Sequence, residues 1–278
     1  MANPDNEYAA AIFAGGGGPD LGKAAAGYLK EIRVQGLKSE SAKESLNILW
    51  SMAEIGSLLS NIGWRVITGG YYMGPMGMAS KAAFETSKNQ GGRATPIGAI
   101  FSDFFPEDPL TAKGEVLEVK NLSQRQEMYF SRARAFFFMG GGGLGTLSEI
   151  TGAMKDDSLR EEVLKFGTHT EKDNLKPRPF FVIDPTGKMQ ELLTFIIEKY
   201  IGKEKALGDE IISGILKRMY IFGEDSFVPA GGQGKYPGLV HLSEDSKKAI
   251  EQILTAQSNE QTPKLPEVAT LYGMITAI

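Results

Sequence analysis

The residues best suited to do chemistry in this chain lie between Ala133 and Met154, in the run ARAFFFMGGGGLGTLSEITGAM. An apolar stretch, 135–139, leads into five glycines among the six residues 140–145. Leu147, Ile150 and Met154 then recur at helical spacing. Strand, glycine turn and helix together build an anion site. Glycines let the backbone approach a phosphate, and the free N–H groups of a helix start point at it. Gly142, Gly143, Gly145 and Thr146 are therefore candidate phosphate ligands. Glu149 is the candidate carboxylate beside them. The run Thr146-Leu147-Ser148-Glu149 also reads as a capping box, in which Glu149 would serve only its own helix start.

Two more glycine turns follow apolar runs: Gly15 and Gly16 after YAAAIFA (8–14), and Gly69 and Gly70 after WRVIT (64–68). Other readings compete at each motif. Gly140-x-Gly142-x-x-Gly145 matches the dinucleotide fingerprint, but the ribose-binding acid belongs about 20 residues on. The next convincing strand ends at Asp184, about twice as far. GGPDLGKA (17–24) approaches a P-loop, yet Ala24 stands where a hydroxyl must hold magnesium, and Pro19 removes a donor. Arg125, Arg132 and Arg134 read singly as exposed charges. Met73, Met76 and Met78 suit a core, or the wall of a base pocket.

The elements that must position these residues alternate. Strands are expected at 8–14, 64–68, 94–101, 115–122, 135–139, 179–184, 219–222 and 239–242. Helices are expected over 39–61, from the end of the glycine turn 69–77 to about 88, 123–132, from 146 to about 154, 188–200, 204–216 and 245–255. This alternation predicts an α/β fold: a Rossmann-like, doubly wound parallel sheet in three α/β/α layers. Ligands of such sheets sit outside the carboxyl ends of the strands, where all three glycine turns would gather. One domain spans 8–256, with charged or aperiodic segments near 21–38 and 155–178 read as insertions, the second part helical, and 257–278 as a mobile tail with an apolar end.

Composition narrows the function. The 278 residues include no cysteine, which excludes disulfides and thiolate catalysis. The two histidines, His169 and His241, are far apart, and no metal-ligand spacing appears. A net charge of −4 offers no basic footprint for nucleic acid. No run reaches the ~20 apolar residues of a membrane span, and no signal-peptide pattern opens the chain. The expectation is a cytoplasmic protein with a small-molecule partner, without metal or cofactor.

Together these residues bring out a family resemblance. Gly142-Gly143-Leu144-Gly145-Thr146-Leu147-Ser148-Glu149 resembles the PGGxGTxxE motif of the LOG ("Lonely guy") family, long described as possible lysine decarboxylases. AAIFAGGGG is similar to that family's first strand and turn, VITGGYYMGPMG to its second, and QRQEM (124–128) to its arginine-containing stretch. Gly141 replaces the motif's proline, and the spacing from Arg125 to Glu149 is one residue longer than in the family. The resemblance implies a nucleoside 5′-monophosphate phosphoribohydrolase acting on AMP or an N6-substituted AMP. It implies Arg125 and Glu149 as catalytic residues, a nucleotide held by Gly15, Gly16, Gly69, Gly70, Gly142, Gly143, Gly145 and Thr146, and a homodimer or larger oligomer. A non-catalytic carrier of a nucleotide or of molybdenum cofactor, on the same fold, is the alternative.

Overall fold

Buried apolar runs pair side by side to form the centre of this computed structural model, which describes residues 8–14, 40–70, 74–100, 114–139, 144–166, 175–230, 239–259 and 268–277. The strands are β1 (Ala9–Phe13), β2 (Arg65–Thr68), β3 (Ile97–Ile100), β4 (Glu115–Glu118), β5 (Ala135–Met139), β6 (Phe180–Ile183) and β7 (Met219–Phe222). They form one seven-stranded sheet in the order β4-β3-β2-β1-β5-β6-β7, and every pairing is parallel. A small antiparallel pair, β8 (Phe227–Pro229) and β9 (Val240–Leu242), lies outside it. The expected three-layer doubly wound architecture is observed.

Strand periodicity divides the core into two faces. Ala11, Phe13, Phe136, Phe138, Phe180 and Val182 enter one buried cluster. Their chain neighbours Ala10, Ile12, Phe137, Met139, Phe181 and Ile183 enter the other. Both faces are covered, so the strands read as continuous apolar runs rather than alternating ones. Aromatic rings tie adjacent strands together: Phe137 stacks on Phe181 with centroids 4.4 Å apart, and Phe13 on Phe138 at 5.4 Å.

Helices α1 (Glu40–Asn61) and α2 (Gly74–Asn89) cover the second face through Met52, Ile55, Leu59, Ala79 and Ala83. Gly56 lets them meet: a Cβ there would fall 2.1 Å from the Ala79 carbonyl oxygen. Gly63, with φ of +80°, ends α1, and the Trp64 N–H turns back to the Leu59 carbonyl. The first face carries α3 (Leu122–Arg132), α4 (Leu144–Phe166), α5 (Lys188–Ile196, continued as a π turn over Ile197–Ile201), α6 (Lys203–Gly208) and α7 (Glu210–Lys217). The single helix expected over 204–216 is thus two, because the Asp209 side chain accepts from the Ile211 and Ile212 N–H groups and starts a new one. α8 (Glu244–Ser258) returns to the second face, with Ile250, Ile253 and Leu254 buried.

Two expectations need correction. The helix read as ending near Met154 runs on to Phe166 and takes in the start of the 155–178 segment. Apolar periodicity fails there because the helix is anchored by ions. Arg178 is fully buried, its Nε donates to Asp157 Oδ1 (2.8 Å), and its Nη1 donates to the Phe130 carbonyl (2.7 Å). Its guanidinium lies 4.5 Å from the Phe136 ring centroid. Arg218 Nη2 takes the other Asp157 oxygen at 2.6 Å. Arg178 and Arg218 immediately precede β6 and β7, so these ions bolt the far half of α4 to the amino ends of those strands.

The second correction concerns the tail. Residues 271–277 form a helix, α9 (Leu271–Ala277), with Leu271 and Ile275 buried. Just before it, the Ile221 N–H donates to the Ala269 carbonyl, which covers the open edge of β7. A tail read as mobile owes its order to this edge, which local sequence does not reveal. Among the described residues, no helix is long and apolar enough to cross a membrane. Asp157 gives a direct test of the anchor. Asp157→Ala removes the carboxylate that Arg178 and Arg218 share, leaving them Asp156 and Glu161 as partners, and is expected to cost about 3–5 kcal/mol in the denaturant unfolding free energy. A loss under about 1 kcal/mol contradicts the anchoring role.

Candidate functional site

In a parallel sheet whose order reverses, the crevice lies outside the carboxyl ends of the two strands at the reversal. Here the chain lays β2, β3 and β4 to one side of β1, and β5, β6 and β7 to the other, so the reversal falls between β1 and β5. Gly15 and Gly16 follow β1, and Gly142 and Gly143 follow β5. These four glycines, the P-loop-like run 17–24 and the segment 21–38 lie outside the described residues.

α4 starts beside the end of β5 and carries Gly145, Thr146 and Glu149 in its first two turns. The helix begins at Leu144, so Thr146 stands inside it rather than at the N-cap, and the capping-box reading fails at that residue. The Thr146 side chain is buried, and its hydroxyl has no hydrogen-bond partner among the described residues. A buried hydroxyl left in that state costs free energy unless a ligand or water completes it.

α3 brings the arginine. Its N-cap is Asn121, whose side chain accepts from the Gln124 N–H, and Arg125 follows on the first turn. From there Arg125 Nη2 lies 3.8 Å from Glu149 Oε1. The two residues are 24 positions apart in sequence, and the extra residue between them, relative to the family, does not keep them from meeting. The arginine's Nε is buried without a partner among the described residues. Only 12% of the Glu149 side chain is exposed. Burial lifts its carboxyl from 4.5 to about 7, while the Arg125 charge pulls the other way. Desolvation wins because the guanidinium stands at 3.8 Å rather than in a close bidentate pair.

The second glycine turn borders the same place. Gly69 and Gly70 follow β2, and a methyl group on Gly69 would lie 3.7 Å from Arg125 Nη1, Tyr129 Oη and Met76 Cε alike. Tyr129 went unnoticed in the sequence, although it sits four residues after Arg125 and so shares its helix face. Met76 stands at the site, whereas Met78 is 37% exposed, and Met73 lies outside the described residues. Asp184 is fully buried and caps α5, accepting from the Gln190 N–H (2.9 Å) and the Thr186 hydroxyl (3.1 Å). Its oxygens are taken by the turn, which leaves the dinucleotide reading without its ribose acid. Among the described residues, no three His, Asp or Glu side chains group so as to hold a metal ion.

Comparison with known proteins agrees with the motif. The chain is 25% identical, over 144 residues, to a cytokinin riboside 5′-monophosphate phosphoribohydrolase of Mycobacterium tuberculosis. The resemblance to the LOG family holds. The match covers 52% of this chain and 66% of that relative. No protein-family model matches the chain. Among solved structures, it is similar to the molybdenum cofactor binding protein of Rippkaea orientalis and to the molybdenum cofactor carrier protein of Chlamydomonas reinhardtii. Each is 17% identical, with a TM-score of 0.42, covering 68% of this chain and 83% of the other.

The Glu149 carboxyl makes stability depend on pH. It holds its proton to about 7 in the folded chain but releases it near 4.5 when unfolded. This contribution is therefore whole below pH 4.5 and is lost as pH rises through about 7. The shift corresponds to about 3 kcal/mol. Glu149→Gln cannot titrate, so its unfolding free energy should gain on the wild type by up to that amount between about pH 4.5 and pH 8. Parallel denaturation curves for the two proteins across this range would contradict the assignment.

Proposed function

We propose that this chain is a nucleoside 5′-monophosphate phosphoribohydrolase, releasing the free base and ribose 5-phosphate from AMP or an N6-substituted AMP. The observation that carries the reading is the meeting of Arg125 and Glu149 at 3.8 Å, both largely buried, at the head of the glycine-led helix α4. The curated relative, named as a hydrolase of this type, supports it.

In this reading the C1′–N bond breaks with its electron pair going to the base. Positive charge develops on the ribose ring, and a carboxylate held in a dry site stabilises it. Glu149 supplies that carboxylate and takes a proton from the water whose oxygen bonds to C1′; the base leaves with a proton from solvent, and Glu149 returns its own to solvent to restore the carboxylate. Arg125 lowers the pH at which the buried Glu149 gives up its proton, and grips the substrate. Thr146 and the first N–H groups of α4 receive the 5′-phosphate, with Gly142, Gly143 and Gly145 giving it room.

The test is chromatography of free base after incubation with AMP, other nucleoside monophosphates and N6-substituted AMP. Base release is expected to fall at least about 100-fold in Glu149→Gln, while AMP still raises the melting temperature. AMP that binds the wild type and is recovered intact would replace this reading with a non-catalytic carrier.

A further inference from the structure

The two glycines of the second turn do different things. Gly70 is required by the fold. Its φ is +81°, and a Cβ would come within 2.6 Å of Ile100 Cγ1 and 3.1 Å of the Gly98 backbone. Its N–H turns back to the Thr68 hydroxyl, which also meets the buried Ser80 hydroxyl at 2.9 Å. Gly69 is under no such constraint: its φ lies outside the left-handed region, and among the described residues a Cβ would meet nothing nearer than 3.7 Å. Packing and backbone conformation would accept alanine at this position.

What surrounds Gly69 is chemically mixed. The same point faces a guanidinium nitrogen of Arg125, the phenol oxygen of Tyr129 and the terminal methyl of Met76. Tyr129 is 1% exposed, and its ring is held edge-on by Phe13 with centroids 5.2 Å apart, so its hydroxyl is fixed in place. Arg125 brings to this corner a buried Nε that has no partner among the described residues, and approaches Glu149 with its other terminal nitrogen. One rigidly held hydroxyl, one guanidinium and one soft apolar contact converge within reach of the reacting pair. A sugar, with hydroxyls on one edge and C–H groups on its face, presents the matching chemistry.

We propose that the ground above Gly69 is a ribose subsite, in which Tyr129 and Arg125 bond the sugar hydroxyls and the missing Cβ of Gly69 makes room for the ring. This rests on the phosphoribohydrolase reading and names the part of the site that would select ribose over deoxyribose. Tyr129 would be a specificity residue, and Gly69 the glycine that admits the substrate.

The experiment is calorimetric binding of ribose 5-phosphate and 2-deoxyribose 5-phosphate to wild type, Tyr129→Phe and Gly69→Ala. Binding is used because loss of the 2′-hydroxyl itself eases glycosidic cleavage and would blur a rate comparison. Wild type is expected to prefer ribose 5-phosphate by about tenfold or more, and Tyr129→Phe to lose most of that preference. Gly69→Ala is expected to keep its melting temperature and weaken ribose 5-phosphate by about tenfold, whereas Gly70→Ala lowers the melting temperature. Equal affinity of wild type for the two sugars, no affinity for either, or an unchanged preference in Tyr129→Phe overturns the proposal. Base release from AMP by the wild type is read separately. An active enzyme that does not distinguish the sugars would sink the subsite and leave the hydrolase standing.

Discussion

The Asp157 carboxylate, closed between Arg178 and Arg218, is the interaction on which the rest of this structure leans. It fixes the far half of α4 to the amino ends of β6 and β7. The near half of that helix carries the Thr146 hydroxyl, which has no partner among the described residues. The two ion pairs on α4 make the contrast plain. At Asp157, both carboxylate oxygens have arginine partners within 2.8 Å. At Glu149, the arginine stands off at 3.8 Å, and burial prevails over its attraction. A buried ion pair that is fully bonded belongs to the fold. One that is left loose stands beside a Thr146 hydroxyl and an Arg125 Nε that have no partner among the described residues, the arrangement the proposed ligand would complete.

The sheet supplies the remaining geometry. Because the order turns at β1 and β5, the glycine turn after β2 lies next to the strand ends that flank the crevice. α3 then lays Arg125 and Tyr129 across the same corner from above Phe13, while α4 lowers Glu149 into it. Three segments far apart in sequence meet there without any one of them containing the site.

The sheet and its layers were legible in the sequence, because a strand covered on both faces must be apolar throughout, as AFFFM and FFVI are. The ion-anchored half of α4 was not. Charged residues are normally exposed, so Asp157 and Arg178 suggested a solvated insertion where the structure buries both completely. The terminal helix escaped for a related reason: its order comes from the edge of β7, not from its own pattern. At the site, the phosphate turn and Glu149 stood out by local motif. Arg125 emerged only through family resemblance, because no local rule pairs residues 24 apart. Tyr129 went unnoticed, and its position one turn beyond Arg125 was the signal available.

The loose pairing of Arg125 with Glu149 is the centre of this account, and the pH profile of kcat/KM for AMP hydrolysis tests it most directly. Such a profile reports the free enzyme. The wild type should lose activity on the acid side with a midpoint at about 7, as Glu149 takes up its proton. Arg125→Gln should move that midpoint to higher pH, because it removes the one charge that favours the carboxylate. The substrate phosphate, with a second pKa of about 6, titrates alike in both proteins and drops out of the comparison. An acid limb that stays in place when Arg125 is replaced, or a profile with no acid limb, would contradict the account.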